Sequence, residues 1–372
     1  MSRRTTSLLK AALSALYYTG ADEVMAPLTC GAGVIFMLHH VRPEAPKPFE
    51  PNRILKVTPE FLERLIMQVL EAGFDVIGLD EIRPRLHSDA SERPFACFTF
   101  DDGYRDNRDH ALPIFRRYGL PLGLYVPADF PDGRGDLWWL ALEAAISQAP
   151  RVVARMSGTD HIFETATVAE KNAAYHAIYW WLRGLPEAEA RAAVAKIADD
   201  AGFDASRLCS DLIMNWGELR AFAADPLVTV GAHTCGHWAL AKLSPSEAQR
   251  EMADSIRRVS HELGRRCRHF SYPYGDAASA GDREFVMAKE LGIETAVTTR
   301  KGLVQRSHAG ALTALPRFSL NGDFQDVRYT QVMLNGAPFA FWNAVERVQG
   351  LRSRAAAKFK PLAAGRAVPS NG

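Results

Sequence analysis

Short uninterrupted apolar runs alternate along this chain with longer stretches in which apolar residues return every three or four positions. The short runs predict strands buried on both faces, and the periodic stretches predict amphipathic helices. Residues 34–38 form the first run, which ends in the polar pair His39-His40. Thr58-Pro59-Glu60 then caps a helix that carries Phe61, Leu62, Leu65, Ile66, Val69 and Leu70 on one face and stops at Gly73. Residues 75–79 predict a second strand and residues 95–100 a third. A helix bearing Ala111, Leu112, Ile114, Phe115 and Tyr118 ends at Gly119, and a fourth strand follows over 122–126. From about 129 to 226 the pattern is helical, with Trp138-Trp139, Tyr179-Trp180-Trp181 and alanine-rich segments, which predicts a helical insertion or cap. Alternation resumes with strands over 227–232, 270–272 and 295–298, and with a long helix over 244–263 opened by the capping box Ser244-Pro245-Ser246-Glu247. Strand and helix in steady alternation predict parallel βα units, here an α/β fold built as an incomplete seven-stranded barrel. Chemistry in such barrels collects at the carboxyl ends of the strands.

Composition narrows the partners. With 372 residues, 47% of them hydrophobic and 23% charged, the chain has a large core to bury, and its net charge of +1 gives no reason to expect nucleic acid. The ends are basic: Arg3, Arg4 and Lys10 open the chain, and no acidic residue follows Glu346 although six arginines and lysines do. That pattern predicts a solvated tail or a peripheral membrane contact. Residues 1–30 predict an amphipathic helix and lead-in, and no run of eighteen apolar residues predicts a membrane span. Five widely spaced cysteines (Cys30, Cys97, Cys209, Cys235, Cys267) argue against a disulfide framework and for a reducing, cytoplasmic compartment.

Candidate chemistry sits where the predicted strands end. Asp101-Asp102-Gly103 places two carboxylates after an apolar strand, and such anions need a cation or a bound water to offset burial. A solvated turn is the competing reading. His233-Thr234-Cys235-Gly236-His237 carries two imidazoles four apart, so a helical turn puts both on one side of a single ion. Together with Asp102 they make a two-histidine, one-carboxylate set that leaves positions open for water and substrate. Cys235 reads as packing rather than as a ligand.

These residues resemble the motifs of the polysaccharide deacetylases of the NodB-homology superfamily, carbohydrate esterase family four, over about residues 34–321. Thr99-Phe100-Asp101-Asp102-Gly103 matches the first motif and His233 to His237 the second. The resemblance implies a distorted seven-stranded (β/α) barrel, with Asp102, His233 and His237 holding a divalent metal and Asp101 as catalytic base. It also implies that the backbone N–H of Tyr274 helps bind the oxyanion. The motif around Pro273-Tyr274 has Ser271 where the family usually has an arginine, and Arg317 is the candidate replacement. The late Leu-x-His segment that supplies the general acid is absent, since His308 lies in another context. Met37-Leu38-His39-His40-Val41 resembles a permuted arrangement in which the acid comes from the N-terminal side, with His40 at its position.

The expected reaction is removal of N-acetyl groups from N-acetylglucosamine-containing oligo- or polysaccharide, with Zn2+ as the metal and Co2+, Ni2+ or Mn2+ as alternatives. Sugar O-acetyl ester cleavage, hydrolysis of a small amide, and carbohydrate binding without turnover are the other readings. The insertion tryptophans either pack the helices or stack on sugar rings. The expected layout is a lead-in over 1–30, a barrel domain over 31–345 with its insertion, and a basic tail over 346–372.

Overall fold

The structure, a computed structural model, describes residues 3–88 and 93–339. The predicted tail over 346–372, with the last residues of the predicted barrel domain, lies outside the described residues.

Seven parallel strands close a ring: β1 (Gly33–Leu38), β2 (Phe95–Asp101), β3 (Leu122–Val126), β4 (Val228–Ala232), β5 (His269–Ser271), β6 (Thr295–Lys301) and β7 (Leu315–Ser319). Each pairs with its predecessor in the chain, and β1 also pairs with β7, so no member of the ring is left with a free edge. The seams are uneven. β1 runs beside β2 from Gly33–Phe95 to Leu38–Phe100, but meets β7 only at Phe36–Phe318 and Met37–Ser319. The β6–β7 register shifts between Val297 and Lys301, beside Pro316, whose missing N–H interrupts the ladder.

Membership of the ring differs from the expectation in one place. Of residues 75–79 only Asp75–Val76 pairs, beside the start of β2 and outside the ring, and the chain then turns at Gly78 into a short 3-10 helix, Leu79–Glu81. The seventh place belongs to β7, whose internal proline disguises it as a turn in the sequence.

Strand alternation sorts the side chains. Ile35, Cys97, Tyr125, Val297 and Leu315 pack together in one cluster, while Val34, Phe36, Phe98, Phe100, Leu124 and Phe270 pack with the helices. Among those helices are α3 (Pro59–Glu71), capped by Thr58, α4 (Leu112–Tyr118) and, further on, α9 (Pro245–Leu263). The predicted insertion contains α5 (Trp138–Gln148), α6 (Val168–Gly184), α7 (Glu187–Asp200) and α8 (Trp216–Ala223). It also contains an antiparallel hairpin, Arg151–Met156 with Thr159–Glu164, that the helical reading missed. The hairpin turns at Ser157-Gly158, both with positive φ, the conformation tight two-residue turns require. Trp138 and Trp139 are buried in the apolar cluster of the insertion, so for them helix packing is the outcome. Two N-terminal helices, α1 (Arg3–Thr19) and α2 (Ala21–Thr29), lie against α11 (Val327–Leu334), the helix that follows β7. (α10 is Asp282–Glu290, between β5 and β6.)

Candidate active site

Asp101 ends β2 two residues beyond Thr99, on the strand face that Cys97 begins. Its carboxylate meets Arg317, two residues beyond Leu315 on β7. The guanidinium forks onto it, Nη1 donating to Oδ1 and Nη2 to Oδ2, each at 2.8 Å. Nη2 also donates to Ser271 Oγ at 3.0 Å and Nε to the Thr298 carbonyl at 2.9 Å. Arg317 is 1% exposed. Burial pushes the Asp101 carboxyl up, but the charge of Arg317, then that of His233 and the Arg317 hydrogen bonds, outweigh it and hold the group at about 2. Ser271 is therefore one of the arginine's partners, and the cation arrives from a different strand.

Asp102 leaves the strand with φ 75°, and Thr234, His237 and Tyr274 also occupy the left-handed region, at 61°, 57° and 60°. Four such non-glycine residues around one mouth mark strain gathered at a site. Asp102 Oδ1 lies 3.8 Å from His233 Nε2 and 3.5 Å from His237 Nε2, and it has no hydrogen-bond partner. One ligand atom from each of these three buried residues lies within 4.8 Å of the others. Donors bound to a single ion at about 2.0–2.2 Å stand roughly 3–3.5 Å apart, so the residues fit a divalent metal. Burial lowers both imidazoles, which favours their neutral, ligating form, whereas burial and the neighbouring Asp101 raise the Asp102 carboxyl well above its usual range, a penalty on its anion that a bound cation would offset. His233 Nδ1 bonds the Ser271 carbonyl at 2.6 Å, which turns Nε2 toward Asp102. Glu251 of α9 accepts the N–H groups of Cys235 at 2.9 Å and Gly236 at 3.0 Å and so braces the loop between the two histidines. Cys235 is a loop residue held through this backbone bond.

The two N-terminal histidines stand in different surroundings. His40 is buried, its Nδ1 2.7 Å from Asp106 Oδ2 and its ring 3.6 Å from that of Tyr104. Burial lowers His40, and the other charges acting on it are those of Asp106, Arg42 and Lys56. His39 is partly buried and lies in the field of Asp101, Arg317, His40 and His233. Burial lowers it to about 4, with Asp101 opposing. His39 thus lies in the field of the Asp101–Arg317 pair, while His40 is held by Asp106 and its buried Nε2 has no hydrogen-bond partner. β1 ends at Leu38, and a separate two-residue strand, His40–Val41, pairs with Lys56–Val57. His308 sits in a short helix that follows Val304, and Val304 pairs with Gly33 at the opposite, amino-terminal end of β1.

Tyr274 follows β5. Its hydroxyl accepts from Trp138 Nε1 at 2.8 Å, and its ring lies 4.9 Å from His237. Among the described residues its N–H is unpaired within the protein. The insertion adds residues that motif reading did not find. The Trp139 ring stands 5.1 Å and Phe130 6.0 Å from His237, Arg191 Nη2 donates to the His237 carbonyl at 3.0 Å, and the Arg183 guanidinium lies 3.7 Å from the Tyr274 ring centre. Only Trp138-Trp139 carried a signal in the sequence, as an aromatic pair opening the insertion.

An arginine-held carboxylate and an Asp/His/His group thus stand together at the strand ends of a closed parallel barrel. Comparison with known proteins adds likenesses of sequence and of fold. The polysaccharide deacetylase family model matches residues 182–296, a stretch that includes His233 and His237. No curated protein sequence matches the chain. Three solved structures share the fold. The deacetylase PplD from Streptococcus pyogenes, in complex with acetate, is 16% identical, covering 81% of this chain and 97% of its own, with a TM-score of 0.54. BC0361, a polysaccharide deacetylase from Bacillus cereus, is 12% identical over 80% of this chain and 68% of its own, with a TM-score of 0.51. A de-N-acetylase from Aggregatibacter actinomycetemcomitans is 12% identical over 80% and 98%, with a TM-score of 0.50. The chain thus has the (β/α)7 barrel fold of these deacetylases, and its residues 182–296 match the polysaccharide deacetylase family model.

Proposed function

We propose that the protein is a metal-dependent hydrolase that removes N-acetyl groups from N-acetylglucosamine-containing oligo- or polysaccharide, of which chitooligosaccharide is the nearest simple example. The observation that carries this reading is the adjacency of two differently tuned carboxylates: Asp101, clamped and ionised by Arg317, and Asp102, unpaired and facing two neutral imidazoles. One of the structures with this fold is named as a de-N-acetylase, which favours an amide over an ester substrate.

Asp102, His233 and His237 would hold the ion, zinc first among Zn2+, Co2+, Ni2+ and Mn2+, which would supply an acidified water and a Lewis acid for the acetyl oxygen. Asp101 accepts the proton of the attacking water at a carboxylate oxygen, and Arg317 fixes its orientation. The free Tyr274 N–H is a donor for the tetrahedral oxyanion. His39, neutral at rest, would take up the proton that Asp101 removes from the water and pass it to the departing amine, which leaves acetate and a free amino sugar. Trp139 and Phe130, packed beside His237, exclude water from that side.

Elemental analysis combined with an acetate assay on N-acetylated chitooligomers tests this. Asp102→Ala, His233→Ala and His237→Ala are expected to lose metal and acetate release together, whereas Asp101→Asn keeps the metal and loses turnover. A fully metallated protein that releases no acetate from any N-acetylated sugar overturns the proposal.

A further inference from the structure

Helices α1 and α2 are apolar on the side they turn to solvent. Their inner side is accounted for: Leu13 is buried, Arg328 of α11 hydrogen-bonds the Tyr18 hydroxyl, and Asn335 Nδ2 donates to the buried Asp22 at 2.8 Å. The outer side carries Leu8, Ala11 and Ala15 in helical spacing on α1, and Val24 and Leu28 on α2. Leu8 is 72%, Val24 81% and Leu28 90% exposed. Single exposed apolar side chains are ordinary, but these are concentrated. Of the twelve large apolar residues exposed among the described residues, five fall in α1 and α2. Gly20 joins the helices in a left-handed bend, which sets both on the same flank of the barrel. The exposed acidic Glu23 is directed back toward Gln331 of α11, at 3.4 Å.

Charge selects the occupant. The described chain ends at Phe339, just after Gly336, which packs so closely on Thr29 at the end of α2 that a Cβ there would stand 2.1 Å from the Thr29 carbonyl oxygen. The residues beyond contain Arg347, Arg352, Arg354, Lys358, Lys360 and Arg366 against the single acid Glu346. An apolar helical face beside the root of a strongly basic segment is complementary to an anionic bilayer, which offers acyl chains to the first and headgroups to the second. A second copy would bring two basic segments together. No helix among the described residues is long and apolar enough to cross a membrane, so the contact is interfacial. We infer that α1 and α2 dock the protein on an anionic lipid surface.

Co-sedimentation of the full chain with vesicles tests this. In about 0.1 M salt, where charges are screened beyond roughly 10 Å, the protein is expected to sediment with phosphatidylcholine vesicles containing phosphatidylglycerol and not with phosphatidylcholine alone. The triple variant Leu8→Asp, Val24→Asp, Leu28→Asp is expected to bind at least about tenfold more weakly, because charge replaces the inserting side chains. Its thermal melting and its acetate release from a soluble oligosaccharide are expected to match wild type, since the three side chains point away from the fold. Charge reversal at Arg352, Arg354, Lys358 and Lys360 is expected to remove the salt-dependent part of the binding. The proposal is overturned if the wild type ignores anionic vesicles or if the triple variant binds as well as wild type. It is also overturned if light scattering finds a wild-type dimer that the triple variant abolishes while neither protein binds vesicles, which would make this face a contact between copies.

Discussion

Arg317 and Asp101 form a pair in which neither member is tolerable alone. Both are buried, so removing the cation leaves a carboxylate with no compensation, a change that typically costs about 3–5 kcal/mol. The pH dependence should then reverse. In the wild type the folded Asp101 titrates at about 2, below its ordinary 3.8, so the pair stabilises fully above the ordinary value and loses this contribution as pH falls toward 2. In Arg317→Ala, burial acts without the arginine and raises the carboxyl, so that variant should gain stability as pH falls toward 3.8, where the wild-type pair is unchanged, and should lack the loss that wild type shows below 3.8. Urea denaturation across a pH series reads the sign directly, and parallel curves for the two proteins would refute it. The histidines divide in the same way. His39→Ala should lower amide turnover by roughly 10²–10⁴-fold with metal content unchanged. His40→Ala should mainly loosen the wall around Asp106 and Arg42. If His40→Ala is folded, metallated and inactive while His39→Ala turns over normally, the roles are the other way round.

Among the elements, short connections do the positioning. The loop that follows Asp102 is anchored to α8 through Glu218, which accepts from Arg105 Nε at 3.0 Å and Arg108 Nη1 at 2.7 Å while closing the capping box with Asn215. Burial pushes Glu218 up, but the Arg105 and Arg108 bonds and the Asn215 N–H outweigh it and bring it from 4.5 to about 2. The folded value is depressed, so the stabilisation is present above 4.5 and fades as pH falls toward 2. Glu218→Gln should therefore cost on the order of 1 kcal/mol at neutral pH, the usual scale for a cap plus a partly exposed ion pair. The difference from wild type should vanish in acid; a gap of constant size from pH 7 to pH 2 in thermal melts would contradict the electrostatic account.

At the scale of the molecule, closure of the ring brings β7 near β2, and without it Arg317 has no route to Asp101. The β1–β2 seam leaves no room at Gly33, where a Cβ would stand 2.5 Å from the Phe95 carbonyl oxygen and ring. Gly33→Ala should destabilise by about 1–3 kcal/mol, the scale of an overpacked core, and should lower activity through the displaced β1–β2 pair. Unchanged denaturation midpoints would show that the seam can yield. The insertion has its own apolar cluster around Trp138, Trp139, Leu142 and Ile178, yet it places Trp139 beside His237, so its packing bears on the site as well as on its own stability.

Local pattern was enough to read six of the seven ring strands, the long helices with their caps, and the residues that gather at the mouth, because burial on both faces and the 3.6-residue period are written in neighbouring positions. It was also enough to single out Asp101, Asp102, His233 and His237, since each lies at a strand end or within a few residues beyond it. The hairpin at Ser157-Gly158 and the strand around Pro316 were obscured by local composition, the first among helical segments and the second by a residue that usually breaks a ladder. Where β1 ends and His40 turns to pair beside Lys56–Val57 is likewise set by a contact between distant segments. The Asp101–Arg317 fork and the rings around His237 join residues far apart in the chain. Such contacts depend on how the strands close and how the insertion packs, so sequence could propose them as partners, but only the tertiary structure could bring them together.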